Sequence, residues 1–173
     1  MTSLRTSSGD GLLPGFRYAR GVNEDETLVH VTHDAPWLPP GGRAEVVRRT
    51  TPPRPMSVVR LLLRDSDRVF CVPRQGTARL DLPMLEAARD DPDGTATVRE
   101  LAKRITGEHL TMQFVGAVRN VVEAPNDGYE WSAPLAHFGV WASDAAPITD
   151  GTWVRLDDDE LQLRDRHWYP LVN

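Results

Sequence analysis

The first place where this sequence could do chemistry is a charged face on one predicted helix. Glu100, Lys103 and Arg104 are spaced i, i+3 and i+4, so a helix brings them onto one face. Two interpretations stay open. Glu100 and Arg104 stand in the favourable order for an ion pair, which would make the three residues a surface cluster. Alternatively, Lys103 and Arg104 bind a substrate phosphate or carboxylate, a contact that suits the planar guanidinium of arginine.

An acidic stretch before this helix suggests a second kind of chemistry. Residues 86–93 contain four acids, and carboxylate oxygens from Asp91 and Glu100 are ligands of the type that Mg²⁺ or Mn²⁺ takes. The same stretch is typical of a solvated loop, because Asp and Pro favour turns. A metal at Asp91 and Glu100 would also meet the positive charges of Lys103 and Arg104. Each such contact costs several kcal/mol at roughly 4 Å and an effective dielectric of about 20.

Aromatic side chains provide a third set of candidates. Trp131 and Trp141 have flat faces on which the planar ring of a substrate could stack. Core packing is the alternative for Trp141, and a surface turn is the alternative for Trp131. His137, within an apolar strand, is either a base that faces a pocket or a buried structural histidine.

The overall composition limits the class of protein. The formal net charge is -5, which argues against general nucleic-acid binding but not against a small anionic ligand in a local pocket. No apolar run approaches the roughly 20 residues that span a membrane, and the first residues lack the apolar core of a secretory signal. The single cysteine, Cys71, cannot form an internal disulfide. We therefore expect a soluble, cytoplasmic protein.

The helix that positions the charged face is well marked. Asp93 is the predicted N-cap and Gly107 the predicted stop. Between them, Val98, Leu101 and Ile105 share one face at helical spacing, which predicts a helix of three to four turns.

Predicted strands surround this helix. They cover residues 27–32, 44–49, 57–64, 68–74, 77–83, 110–124, 134–143 and 152–156, and residues 157–163 resemble the start of a second helix. Strands grouped around isolated helices indicate an α+β domain with a mixed sheet.

This order of elements, and the spacing around Arg99-Glu100-Leu101, resemble the Nudix hydrolase superfamily. Its signature is G-x5-E-x7-R-E-U-x-E-E-x-G-U, in which U is bulky and apolar, commonly with a proline two residues before the first glycine. Counted without a gap from Pro83, the signature places Arg99-Glu100-Leu101 on its R-E-U. Asp91 stands at the first glutamate as a shorter carboxylate match. The other positions depart from the signature: Leu85 stands at the first glycine, Lys103 and Arg104 at the paired glutamates, and Thr106 at the last glycine.

The resemblance implies a fold and a set of site residues. It implies a Nudix-type α/β/α sandwich at residues 56–173. Independently of the resemblance, the Ser/Thr/Gly-rich N-terminus predicts a tail at 1–15, and the first two predicted strands indicate an N-terminal β-extension at 16–55 that could support a homodimer. The resemblance also implies hydrolysis of a diphosphate-containing or nucleotide-like molecule, with Asp91 and Glu100 as surviving Mg²⁺ or Mn²⁺ ligands. Glu130 would be a stand-in base, and Arg74, Lys103 and Arg104 would be anion contacts. The alternatives are an inactive ligand- or partner-binding module and a metal-free hydrolase or isomerase.

Overall fold

The computed structural model describes residues 25–77, 79–158 and 163–172. The predicted tail, residues 1–15, lies outside this range, as do residues 159–162 of the predicted second helix. The described elements are β1 (Thr27–His33), β2 (Arg43–Arg48), β3 (Met56–Asp65), β4 (Arg68–Pro73), β5 (Leu80–Asp81), β6 (Met84–Glu86), α1 (Thr95–Thr106), β7 (Gln113–Val121), β8 (Leu135–Ser143), β9 (Thr152–Arg155) and two short 3-10 turns at Leu163–Asp165 and Tyr169–Leu171. No described helix is long and apolar enough to cross a membrane.

The strands form one mixed sheet in the order β1-β2-β7-β8-β3-β4-β5, with β6 beside β3 and β9 beside β4. Strands β3 and β8 run parallel, whereas the other described pairs are antiparallel. This arrangement confirms the expected mixed sheet with an isolated α-helix. Within the predicted extension at 16–55, the hairpin β1–β2 continues the same sheet through pairing of β2 with β7.

Strands β3 and β4 diverge soon after their connecting turn. They pair only where Arg64 and Asp65 face Val69 and Arg68. Farther along, β6 replaces β4 as the neighbour of β3 and pairs with residues 58–60. Of the described residues in the strand predicted at 77–83, only Leu80–Asp81 form a strand, which pairs with β4, and a separate strand, β6, follows Pro83 and pairs with β3.

The two faces of β3 are covered by different parts of the chain. Val59, Leu61 and Leu63 pack in the cluster that contains the buried face of α1, whose members include Val98 and Leu101. Leu62 packs on the opposite side, in a cluster that includes Val140, Leu163, Trp168 and Leu171. Alternation along the strand thus places helix α1 on one face and the C-terminal segment on the other.

Helix α1 has the predicted length, but its N-terminus differs from the prediction. The N-cap residue is Gly94, whose φ of 75° lies in the left-handed region that favours glycine. A Cβ there would lie 2.6 Å from Cγ1 of Val59. Asp93 instead accepts a hydrogen bond from the backbone N–H of Thr95 at 3.1 Å. The helix ends as predicted at Gly107, whose N–H donates to the carbonyl of Lys103 at 2.9 Å.

Candidate functional site

The charged face of α1 points away from the sheet. Glu100 and Arg104 form an ion pair in which each side chain is 58% exposed, and Lys103 is also exposed. Both cations belong to the last turn of α1, where positive charge complements the partial negative charge of the helix C-terminus. This geometry agrees with the surface-cluster interpretation.

Asp91 has a structural role at the other end of the helix. Its side chain is buried, and its Oδ1 accepts a hydrogen bond from the N–H of Ala96 at 3.2 Å. Its Oδ2 accepts from both the N–H and the hydroxyl of Thr97, each at 2.7 Å. These bonds satisfy N–H groups that the first turn of a helix leaves free.

The side chains on and before α1 do not fit the divalent metal that the resemblance implies. Both oxygens of Asp91 are engaged by the helix, and Glu100 is paired with Arg104. Lys103 adds a second positive charge to the same exposed face. Within the described ranges, no group of three or more His, Cys, Asp or Glu residues is arranged to hold a metal ion.

Trp141 and Glu130 also lie away from any shared cleft. Trp141 is 4% exposed and packs edge-on against Phe114 with ring centroids 4.8 Å apart, in the core beneath α1. Glu130 is exposed. Its neighbour Trp131 is half-buried and lines the cavity described next.

A cavity of about 540 Å³ lies where β3 and β4 diverge. Its lining comes from β3, the end of β4, the β5–β6 segment, the turn at Trp131, and Phe138 on β8. Of the residues predicted to form the site, Arg74 borders this cavity, whereas the lining includes none of Asp91, Glu100, Glu130, Lys103, Arg104 and Trp141.

Arg60 is the most unusual side chain in the cavity wall. It lies on β3 between Met84 of β6 and Val140 of β8, so pairing on both sides fixes its backbone. Its Nε and Nη1 are buried and have no hydrogen-bond partner in the part of the chain that the structure describes. Its guanidinium lies 5.7 Å from the ring centroid of Phe138, within range of a cation–π contact.

The electrostatics around Arg60 combine burial with two opposing charges. Burial lowers the pKa of Arg60, the carboxylate of Asp81 raises it, and the positive charge of Arg74 lowers it. Arginine stays protonated in proteins, so the lowered pKa expresses the cost of holding this charge away from water. Leaving a buried donor unsatisfied costs roughly 1–3 kcal/mol, and more when the donor is charged.

Asp81 is the buried carboxylate of the same cavity. It is 5% exposed, and its Oδ1 accepts hydrogen bonds from Nε1 of Trp168 at 2.7 Å and from the N–H of Leu82 at 2.8 Å. These two bonds hold the carboxylate in one orientation beside Arg60.

The mouth of the cavity is polar on one side and aromatic on another. Arg74 and Glu86 line it and are both exposed. Trp131 and Phe138 meet edge to face, with centroids 5.3 Å apart and planes at 80°. The arrangement places a buried cation, a buried carboxylate and an aromatic wall around one space, which suits a small ligand with a planar part and an anionic group.

Sequence reasoning identified Arg74 but missed Arg60 and Asp81. The available signal was an arginine inside the apolar run of residues 58–63, because a charge in a buried strand needs a partner. No protein-family model matches the sequence, and a search of curated proteins found no significant match. The chemistry of the cavity therefore carries the functional argument.

Proposed function

We propose that this chain is a diverged member of the Nudix superfamily that binds a small anionic molecule in the cavity around Arg60. The Nudix assignment is supported by the ungapped spacing from Pro83 to Arg99 and by a mixed sheet in which β3 and β8 run parallel. The proposed sandwich would place α1 on one face of this sheet and the C-terminal segment on the other.

One observation carries the binding proposal: Arg60 has a buried guanidinium with two unpartnered nitrogens at the wall of a cavity. A phosphate or carboxylate in the cavity would bring a negative charge beside this positive charge and offset the cost of its burial. Charge-assisted hydrogen bonds of this kind are about twice as strong as neutral ones. Arg74 at the mouth adds a second positive charge along the route of entry.

The test is calorimetric titration of the whole protein with small anions: benzoate, 3-phenylpropanoate, inorganic pyrophosphate, a nucleoside monophosphate and a nucleotide sugar. At least one should bind, and Arg60→Met should weaken that binding about tenfold or more, because a charged hydrogen-bond donor is lost. Arg99→Met is the matched control, since Arg99 is exposed on α1 and does not line the cavity. Absence of binding by every anion, or equal affinity in Arg60→Met, would refute the proposal.

Diphosphate hydrolysis is a second candidate, and Glu86 favours it. This exposed carboxylate lines the cavity that contains Arg60 and Arg74, so it could take a proton from a water molecule that attacks phosphorus. The water oxygen would form the new P–O bond while the bridging P–O bond breaks. Phosphate release from a panel of nucleotide sugars and dinucleotides, with and without Mg²⁺ or Mn²⁺, tests this candidate. Release unchanged in Glu86→Gln would eliminate Glu86 as the base.

We also propose a cytoplasmic location and a homodimer formed through the hairpin β1–β2. The location is supported by the single cysteine, Cys71, which leaves no internal disulfide to form and so fits a reducing compartment. The dimer is supported by Leu28 and Val29, which are exposed on β1 at the edge of the sheet. Sedimentation analysis of wild type and Leu28→Lys tests it. A wild-type monomer would refute it.

A further inference from the structure

The charges that line the Arg60 cavity are balanced. Arg60 and Arg74 contribute two positive charges, and Asp81 and Glu86 contribute two negative charges. A site for a diphosphate ordinarily presents an excess of positive charge, because each phosphate brings at least one negative charge. A lining with no formal net charge suits a ligand that carries both an anionic and a donor group.

Arg60 and Asp81 indicate where the anionic group and the donor group of the ligand would lie. Nε and Nη1 of Arg60 are buried without a partner among the described residues, so its positive charge favours an anionic group on the ligand. Asp81 accepts two hydrogen bonds at Oδ1 from Trp168 and Leu82, and an ionised carboxylate has about four acceptor sites. Asp81 can therefore accept a further hydrogen bond. Because its carboxylate is buried, such a bond would offset part of the cost of desolvating it.

The exposed pair at the mouth plays a different part. Arg74 and Glu86 are both accessible to water, which weakens their fields, and their opposite signs offset each other at longer range. Selection among ligands then depends on the half-buried Arg60 and the buried Asp81. The edge-to-face pair of Trp131 and Phe138 adds an apolar surface that accommodates an aromatic ring.

We infer that the ligand is a small aromatic aminocarboxylate: Arg60 binds its carboxylate, Asp81 binds its amino group, and Trp131 with Phe138 contacts its ring. This inference rests on the proposed anion site and narrows it to one class of molecule. It is an alternative to the hydrolysis candidate, because the second anionic group of a diphosphate would lie toward the negative charge of Asp81.

A matched set of three compounds tests the inference on the wild-type protein. L-phenylalanine carries both groups, 3-phenylpropanoate lacks the amine, and 2-phenylethylamine lacks the carboxylate. Calorimetry should show that L-phenylalanine binds about tenfold or more tightly than 3-phenylpropanoate, as expected for a charge-assisted hydrogen bond. A second pair, 2-aminobenzoate and benzoate, should show the same preference for the compound with the amine. Inorganic pyrophosphate should bind more weakly than either aminocarboxylate.

The variant Asp81→Asn tests the assigned partner of the amino group. It should reduce the preference of L-phenylalanine over 3-phenylpropanoate to about twofold or less, since the charged acceptor is lost. Asp90→Asn is the control, because Asp90 is an exposed carboxylate that does not line the cavity, and it should preserve the preference. Because Asp81 also accepts a bond from Trp168, the melting temperature of Asp81→Asn is measured first, and if the variant does not fold the compound series alone decides.

The outcomes separate the two proposals. If 3-phenylpropanoate or pyrophosphate binds through Arg60 as tightly as the aminocarboxylates, the anion site stands and the aminocarboxylate inference is overturned. If the preference survives in folded Asp81→Asn, the role of Asp81 is overturned. If none of the anions binds, both proposals fall.

Discussion

Replacement of Asp91 by alanine tests whether this residue caps α1 or serves a metal site. The substitution removes three hydrogen bonds at the start of the helix, to Ala96 and to the N–H and hydroxyl of Thr97. Loss of a helix cap costs about 0.5–2 kcal/mol, and hydrogen bonds to a charged group add to that cost. We expect the free energy of unfolding to fall by about 2–3 kcal/mol, which lowers Tm by about 4–12 °C for a chain of this size.

Thermal unfolding followed by circular dichroism, with and without millimolar MgCl₂, is the appropriate assay. Asp90→Ala is the matched control, because Asp90 is the exposed neighbour of Asp91. Asp91→Asn should be less destabilised than Asp91→Ala, since asparagine also caps helices. Two results would contradict this reasoning: an Asp91→Ala protein that melts with the Asp90→Ala control, or a Mg²⁺-dependent rise in the wild-type Tm that Asp91→Ala abolishes.

Three further predictions concern residues outside the cavity. His137 is 2% exposed, and burial is the main cause that lowers its pKa, so the unfolded chain binds a proton at this residue more readily than the folded protein does. The stability that neutral His137 contributes above about pH 6.5 should therefore be lost as the pH falls. In His137→Asn, Tm should fall less between about pH 7 and pH 5.5 than it does in the wild type. The double variant Lys103→Glu/Arg104→Glu should leave the affinity for the cavity ligand unchanged in calorimetry. A loss of affinity would indicate that these side chains of α1 contact the ligand. Trp141→Ala should lower the free energy of unfolding in urea by about 3–5 kcal/mol, whereas a loss under about 1 kcal/mol would contradict a core role.

Local sequence patterns predicted those secondary-structure elements that depend on interactions between residues close together in the sequence. The spacing of Val98 and Leu101 and the stop at Gly107 were sufficient for α1, because helical periodicity and a left-handed C-terminus are short-range properties. Of the described residues in the strand predicted at 77–83, only Leu80–Asp81 form a strand, and the strand Met84–Glu86 that follows Pro83 was not predicted. The extent of each strand depends on a distant partner, β4 for the first and β3 for the second, which no local pattern reports.

The same distinction explains which cavity residues were found. Arg74 was predicted through the resemblance to the Nudix superfamily, which implies an anion contact at this position. Arg60 and Asp81 line the same cavity only because β3 and β4 diverge, and Trp168, from a distant part of the chain, fixes the carboxylate. The helix residues Lys103 and Arg104 were correctly placed on one exposed face, but their distance from the cavity is a tertiary property.

The alternation of side chains along β3 fixes the face of the sheet on which Arg60 lies. Leu61 and Val59 face α1, so a slip of one residue would drive Arg60 into that apolar cluster at large cost. In its actual register Arg60 still bears a desolvation penalty, and apolar replacement of buried charges is often neutral or stabilising. Arg60→Met should therefore melt at the same temperature as the wild type or higher without ligand, and lower than the wild type when the cavity ligand is saturating. A variant that is less stable in both conditions would show that Arg60 serves the fold and not a ligand.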